Sequence, residues 1–309
     1  MKIYTWSLVL LASTAVASSC SKSCWRNSTC DGPSKPSFPG PWESNIYSPH
    51  SRFIPPTSII SLSDGKKLSG YDGESIIILN TTHQEVVLDF GIEVGGIVAF
   101  DYTLSQDTSV GLTFTEAKDF IGRRGDNSLG DSRGEPGDGP LLVDLVTDND
   151  GHYALPDKNL RGGFRYFTVF LDSPTEDTRL EISNITLEIS FQPTWPNLKA
   201  YRGYFHSDDE LLNKIWYSGA YTVQTNSVPG NTGRNNADAS PSDWRNDAWI
   251  TNGATVLLDG AKRDRWVWIG DMGTAVPSAF VSTGDLDSTK YALLSIYDNQ
   301  VRHSRVTAV

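Results

Sequence analysis

The sequence predicts a multidomain β-then-α chain, an N-terminal antiparallel, jelly-roll-like β-sandwich followed by helices. Two observations carry this. Between Ser58 and Gln192, runs rich in β-branched and aromatic residues alternate apolar and polar positions, and Gly or Asp/Asn clusters separate them. After Pro193-Thr194-Trp195-Pro196 the apolar spacing changes to i, i+3, i+4. The implied division is 1–17, 18–57, 58–194 and 195–309.

Met1 to Ala17 joins a basic start, an apolar run and a small-residue Ala15-Val16-Ala17 site, the pattern of a cleaved secretory signal. No later run is long and apolar enough to span a bilayer, so a secreted, extracellular chain without membrane attachment is expected after cleavage. Export suits Asn27, Asn80 and Asn184, each in an Asn-x-Ser/Thr glycan-acceptor triplet. It also favours a Cys24–Cys30 disulfide, with Cys20 free or linked elsewhere. From Cys30 to Pro56, prolines such as Pro33, Pro36, Pro39 and Pro41 remove backbone donors at short intervals, so 18–57 reads as an extended leader outside the core.

Strands are expected at Ser75 to Leu79, Glu85 to Phe90, Gly96 to Tyr102, Val110 to Thr115, Phe164 to Leu171 and Leu180 to Phe191. Gly122 to Pro140 is too rich in glycine and charge for an element. Within it Asp126, Asp131 and Asp138 offer oxygens to Ca²⁺, and Arg124-Gly125-Asp126 resembles an adhesion tripeptide. Their irregular spacing favours a solvated hairpin tip.

Ser207 and Glu210 read as a capping box ahead of a helix of about five turns. Its apolar stripe is Leu211, Leu212, Ile215, Trp216, Gly219, Ala220 and Val223. Shorter helices are expected over Asp247 to Leu257, Asp271 to Val281 and Asp287 to Asn299, with Pro277 kinking or interrupting the second.

A net charge of −11 repels polyanions, which excludes nucleic acid as a partner and favours a neutral one. The five histidines show no metal-ligand spacing, and neither a Gly-x-Ser-x-Gly elbow nor a phosphate loop occurs, so no cofactor is expected.

The most informative segment is Asp259 to Asp271. It sets Asp259, Asp264 and Asp271 beside Lys262, Arg263 and Arg265, with the indoles of Trp266 and Trp268. Indole faces stack on sugar rings, Asp and Arg take hydroxyls, and a protonated carboxyl assists departure of a glycosidic oxygen. The competing reading is a surface salt-bridge cluster with core tryptophans. Trp244, Arg245, Asp247 and Trp249 form a second cluster, which suits either the same pocket or a helix start.

In order, Asp259, Arg263, Asp264, Arg265, Trp268, Gly270 and Asp271 resemble the signature of the α-L-rhamnosidases with a six-hairpin (α/α)6 barrel. Glu210 to Trp216 and Gly219 to Asn226 are similar to that family's first barrel helix, and Leu88 to Gly96 resembles its preceding β-domain. The likeness covers roughly Ile76 to Gln300 and is nearest to fungal secreted members. It implies an inverting glycoside hydrolase that removes terminal α-L-rhamnose from plant glycosides or pectin side chains. Asp264 falls on the acid position, where many members have Glu, while Asp259, Arg263, Trp268 and Asp271 fall on sugar-binding positions. The acid role requires both flanking arginines to point elsewhere and a dry pocket walled by Trp266 or Trp268. The family's general base is a Glu far beyond the acid, and too few helices follow Trp195 to close a barrel. The resemblance therefore implies an incomplete barrel, a C-terminally truncated chain and no hydrolysis by this chain alone. The alternative class is a non-catalytic carbohydrate-binding β-sandwich module, with sugar binding confined to 58–192.

Overall fold

A computed structural model describes residues 23–26, 28–125, 138–147, 151–235 and 244–306. The signal sequence, Cys20, Asn27, Asp126 and Asp131 lie outside the described residues.

The β part runs through β1 (Phe53–Ile54), β2 (Ser58–Ile60), β3 (Lys67–Gly70), β4 (Ile77–Asn80), β5 (Glu85–Leu104), β6 (Thr108–Thr115), β7 (Leu141–Leu145), β8 (His152–Ala154), β9 (Arg161–Leu171) and β10 (Arg179–Ile189). These strands hydrogen-bond antiparallel into one curled sheet with the main order β1-β10-β5-β9-β6-β7. β5 lets a single sheet enclose a core. Its first half pairs with β9, from Glu85 opposite Phe170 to Asp89 opposite Tyr166, and its second half with β10, from Gly96 opposite Ile189 to Leu104 opposite Leu180. Between them the register slips, and Gly91 takes φ 82°, which a side chain would resist. The glycines that read as a separator between two strands are thus a bend within one.

Leu88, Phe100, Phe114, Phe164, Phe167 and Ile182 are fully buried inside this sheet. Phe114 and Phe164 meet edge to face at 4.9 Å. Each such burial is worth about 1.5–3 kcal/mol. In β10 the alternation slips once, between Ser183 and Thr186, where Asn184 adopts the left-handed conformation that Asn tolerates. Asn184 is exposed at this bulge, its amide donating to Asp101 (2.7 Å), and Asn80 ends β4 partly exposed.

The leader is not outside the core. Trp25 and Ile46 belong to the main buried cluster, and β1 pairs with β10. Arg52 is buried and donates to the carbonyls of Ile189 (2.8 Å), Phe191 (3.1 Å), Gln192 (3.0 Å) and Trp195 (3.0 Å), and burial lowers its guanidinium to about 10. Backbone carbonyls that leave the sheet need donors, and a leader arginine supplies them. Cys24 and Cys30 are joined by a disulfide with Cα atoms 5.8 Å apart.

The second part comprises α1 (Glu210–Thr225), β11 (Ser227–Val228), β12 (Val256–Leu257), α2 (Ile269–Val281) and α3 (Leu286–Val306). The cap of α1 is Asp209, whose carboxylate accepts from Leu211 N (2.8 Å) and Leu212 N (3.4 Å). Ser207 instead accepts from Asp209 N, so the expected capping box does not form. The buried face also differs from the apolar stripe. Tyr217, Ala220, Tyr221 and Gln224 pack on the β domain, whereas Leu211 and Ile215 are 64% and 59% exposed. The polar tips on the buried face are satisfied: Tyr221 donates to Glu93 O (2.6 Å), and Gln224 accepts from Tyr201 (2.8 Å) and donates to Leu198 O (2.7 Å). No helix covers Asp247 to Leu257. That stretch forms a bridge from Ala248 to Gly233 and pairs β12 with β11. The helix α2 continues through Pro277.

Candidate functional site

The segment from Asp259 to Trp266 is a closed loop. At its neck, Asp259 N–H donates to Trp266 O (3.1 Å) and Trp266 N–H donates to the Asp259 carboxylate (3.0 Å). Towards its tip, Asp264 and Arg265 take φ values of 60° and 49°, left-handed conformations that side chains rarely adopt in succession. The chain therefore turns back sharply after Asp264. Trp268 lies beyond the neck, at the start of α2.

Three contacts hold this loop against its surroundings. Gly162 of β9 comes so near that a methyl group there would meet Ala261 O at 1.7 Å. Lys262, buried, donates to Glu116 just past β6 (3.0 Å). Arg265, fully buried, donates from Nε to Thr232 O (2.9 Å), from Nη2 to Thr232 Oγ1 (2.9 Å) and from Nη1 to Ala261 O.

Between the loop, the last turns of α1 and the β domain lies an open cleft of about 420 Å³. Asp259, Arg263 and Asp264 line it together with Glu93 of β5, Glu116, Tyr221 and Asn226. Burial pushes the Asp259 carboxyl above its ordinary value. The Trp266 N–H opposes that shift, and the charge of Asp264 adds to it. Burial lowers Arg265 to about 10, against the pull of Asp259. The cleft thus holds two electrostatically coupled carboxyls, of which Asp259 keeps its proton more readily than an ordinary Asp. With cations beside them, these groups suit gripping hydroxyls and exchanging a proton.

Of the five residues expected from sequence, the cleft gathers Asp259, Arg263 and Asp264. Of the two arginines beside Asp264, Arg265 points into protein and Arg263 shares the cleft. The expected dry pocket does not form. Asp264 is exposed, and Trp266 and Trp268 are exposed outside the cleft lining, because the left-handed turn places Asp264 at the loop tip and the tryptophans lie at and past the neck. Asp271 is exposed in the first turn of α2, where a carboxylate faces the positive end of the helix dipole. Glu93, Glu116, Tyr221 and Asn226 were not singled out in sequence. Glu93, Tyr221 and Asn226 fall inside segments that carry the family likeness, but no signal marks Glu116.

Two other expectations are corrected. Asp138 is not at a solvated tip: it is buried and ion-paired with Arg161 (3.1 Å), whose guanidinium lies over Phe114 and Trp244 and needs a countercharge there. Trp244 starts no helix and does not line the cleft. It is buried beneath Arg234, 3.7 Å from its ring centroid, while Arg245 pairs with Asp247. Among the described residues, no group of three or more His, Cys, Asp or Glu is placed to hold a metal ion.

No protein-family model matches the chain, and no curated protein matches it. Among solved structures it is similar to a rhamnosidase from Klebsiella oxytoca with rhamnose bound, at 17% identity and TM-score 0.55, over 82% of this chain and 45% of that one. It is also similar to the GH78 family rhamnosidase of Bacillus sp. GL1, at 16% identity and TM-score 0.47, over 76% of this chain and 20% of that one. A third similar structure is the α-L-rhamnosidase from Dictyoglumus thermophilum, at 16% identity and TM-score 0.39, over 80% and 21%. The chain spans less than half the length of each. The β domain and the helices after it have a rhamnosidase-like fold.

Proposed function

We propose that this chain is the β domain and acid-bearing part of a secreted glycoside hydrolase that removes terminal α-L-rhamnose from plant glycosides or pectin side chains. The observation that supports this reading is the convergence of Asp264 and Asp259 on one cleft, with Arg265 withdrawn into protein. In the proposed reaction Asp264, at the loop tip, protonates the departing glycosidic oxygen; its carboxyl is exposed here, and the bound sugar and the helices of a longer chain supply the dry surroundings that this role requires. Asp259 and Arg263 hold the sugar's hydroxyls, and Trp268 and Asp271 extend that grip from the start of α2. Inversion needs a second carboxyl on the opposite face of the ring, roughly 6.5–9.5 Å from the acid, to activate water. That Glu is assigned to a region beyond these 309 residues, as the 45% coverage of the Klebsiella enzyme permits.

Release of an aryl α-L-rhamnoside tests the reading, with the 309-residue chain assayed beside a longer chain that carries further helices. The longer chain is expected to turn over, the shorter one not, and Asp264→Asn in the longer chain should lower kcat by about 10²–10⁴-fold. Undiminished hydrolysis by Asp264→Asn would overturn the acid assignment. Turnover by the shorter chain would overturn the placement of the base.

A further inference from the structure

A second cleft, of about 610 Å³, shares Thr232 in its wall with the anchor of Arg265, yet none of Asp259, Arg263 and Asp264 lines it. We propose that it is a separate carbohydrate site, in which a pyranose ring of a glycan chain stacks on Trp249. The inference is independent of the hydrolase reading.

The indole is the first argument. Nearby Trp25 and Trp244 are buried, whereas Trp249 lines the concavity and is 43% exposed. An aromatic face kept on the wall of a cleft offers an apolar platform with a polar edge, which matches the two-sided character of a sugar ring. The chemistry around it is the second argument. Asn231 and Asn252 each present amide donors and acceptors, Asp247 is fixed by Asn235 (2.9 Å) and Arg245, and Lys158 adds a cation. Such mixed donors and acceptors suit hydroxyls. An apolar ligand would strand them, and a polyphosphate would meet Asp157 and Asp247. The volume is that of an ordinary ligand site.

The wall is also built to stay in place. The Cys24–Cys30 disulfide closes the segment that supplies Trp25, Arg26 and Ser28. Arg26 lies over Trp25 and bonds Asp157 at 2.7 Å, tying that segment to the turn bearing Lys158. Asn246 N–H donates to Lys158 O (2.7 Å) and its Nδ2 to Leu160 O (2.9 Å), while its Oδ1, buried beneath the cleft, has no partner among the described residues. A preformed cleft loses little entropy when a flexible glycan binds.

Isothermal titration of the 309-residue chain with the neutral oligosaccharides cellohexaose and mannohexaose tests the site. The wild type is expected to bind at least one, and the choice between them reports whether the site prefers an equatorial or an axial 2-hydroxyl. Trp249→Ala and Asn252→Ala, both at exposed positions, should each weaken binding, the former by roughly tenfold or more. Trp249→Tyr should restore most of it, and Asp264→Asn should bind like wild type. Failure of both oligosaccharides to bind, or unchanged binding by Trp249→Ala, overturns the inference. So does loss of binding in Asp264→Asn, which would place the ligand in the first cleft.

Discussion

The position of the loop that carries Asp264 rests on a close approach that a single methyl group can test. In Gly162→Ala the new carbon would sit 1.7 Å from Ala261 O and 2.1 Å from Arg265 Nη1, where real contacts of this kind are not found under 3.0 Å. Loop and strand must therefore part by at least the difference, about 1.3 Å. That movement disturbs the Arg265 bond to Ala261 O and the Lys262–Glu116 pair together. Overpacking of this kind costs about 1–3 kcal/mol, and each kcal/mol shifts the Tm of a chain this size by roughly 2–4 °C. Calorimetric melting is expected to show a Tm lower by about 2–12 °C in Gly162→Ala. Gly219→Ala serves as the control, because it lies on the exposed side of α1 with nothing within 4 Å of the added methyl. It should gain about 0.5–1 kcal/mol from helix propensity alone. A Gly162→Ala protein melting within about 1 °C of wild type would refute the claim that β9 dictates where Asp264 stands.

Asp259→Asn tests the electrostatics: because burial raises the folded-state value of Asp259, the folded chain holds the extra proton and stability falls as pH rises from the ordinary carboxylate value through the folded one. The variant, whose Oδ1 still accepts the Trp266 N–H, should melt higher than wild type at pH 7 and lose that advantage below about pH 4, and an equal gain at both pH values would sink the argument. Leu211, Ile215, Phe280, Leu293 and Tyr297 leave apolar side chains exposed on all three helices, so the 309-residue chain should bind anilinonaphthalene sulfonate and self-associate in sedimentation, and a dye-silent monomer would contradict this.

The β half was legible because alternation is local. β9 and β10 begin within three residues of their expected starts, and in β10 the apolar positions are the buried ones, whereas β9 is buried on both faces, Arg161 and Thr168 included. What alternation cannot show is continuity: Gly91 to Gly96 has the composition of a turn, and only pairing with β9 on one side and β10 on the other makes it a bend in one strand. The shift of the buried face of α1, which shares Ala220 with the predicted stripe but leaves Leu211 and Ile215 exposed, has a similar cause. Periodicity identifies apolar residues, whereas burial depends on partners such as Leu198 O and Glu93 O, which satisfy Gln224 and Tyr221 from outside the helix. The helix expected after Asp247 fails because β12 pairs with β11, a contact that a local window does not contain. At the site, the motif carried Asp259, Arg263 and Asp264 into one cleft, but Glu116 arrives from 146 residues away through its bond to Lys262. Arg265 reads as a surface cation until Thr232 is seen to receive it.

The backbone at Asp264 and Arg265 gives this last contact its meaning. Two successive left-handed residues cost of order 1–3 kcal/mol each, and such a conformation persists only where its surroundings fix it. Glycine at position 265 would relieve half of that cost, yet it would remove the three bonds by which the guanidinium grips Ala261 and Thr232. Ala261 belongs to the loop that carries Asp264, and Thr232 belongs to the wall of the second cleft. An arginine in a conformation it does not favour therefore braces both concavities at once. Burial weakens its hold on its own proton but leaves it charged, since about 10 is still far above neutral pH. The strain lies at Asp264 and at the residue adjoining it, and the bonds that offset it lie on the side away from solvent. This arrangement turns Asp264 outward while its neighbour stays fixed.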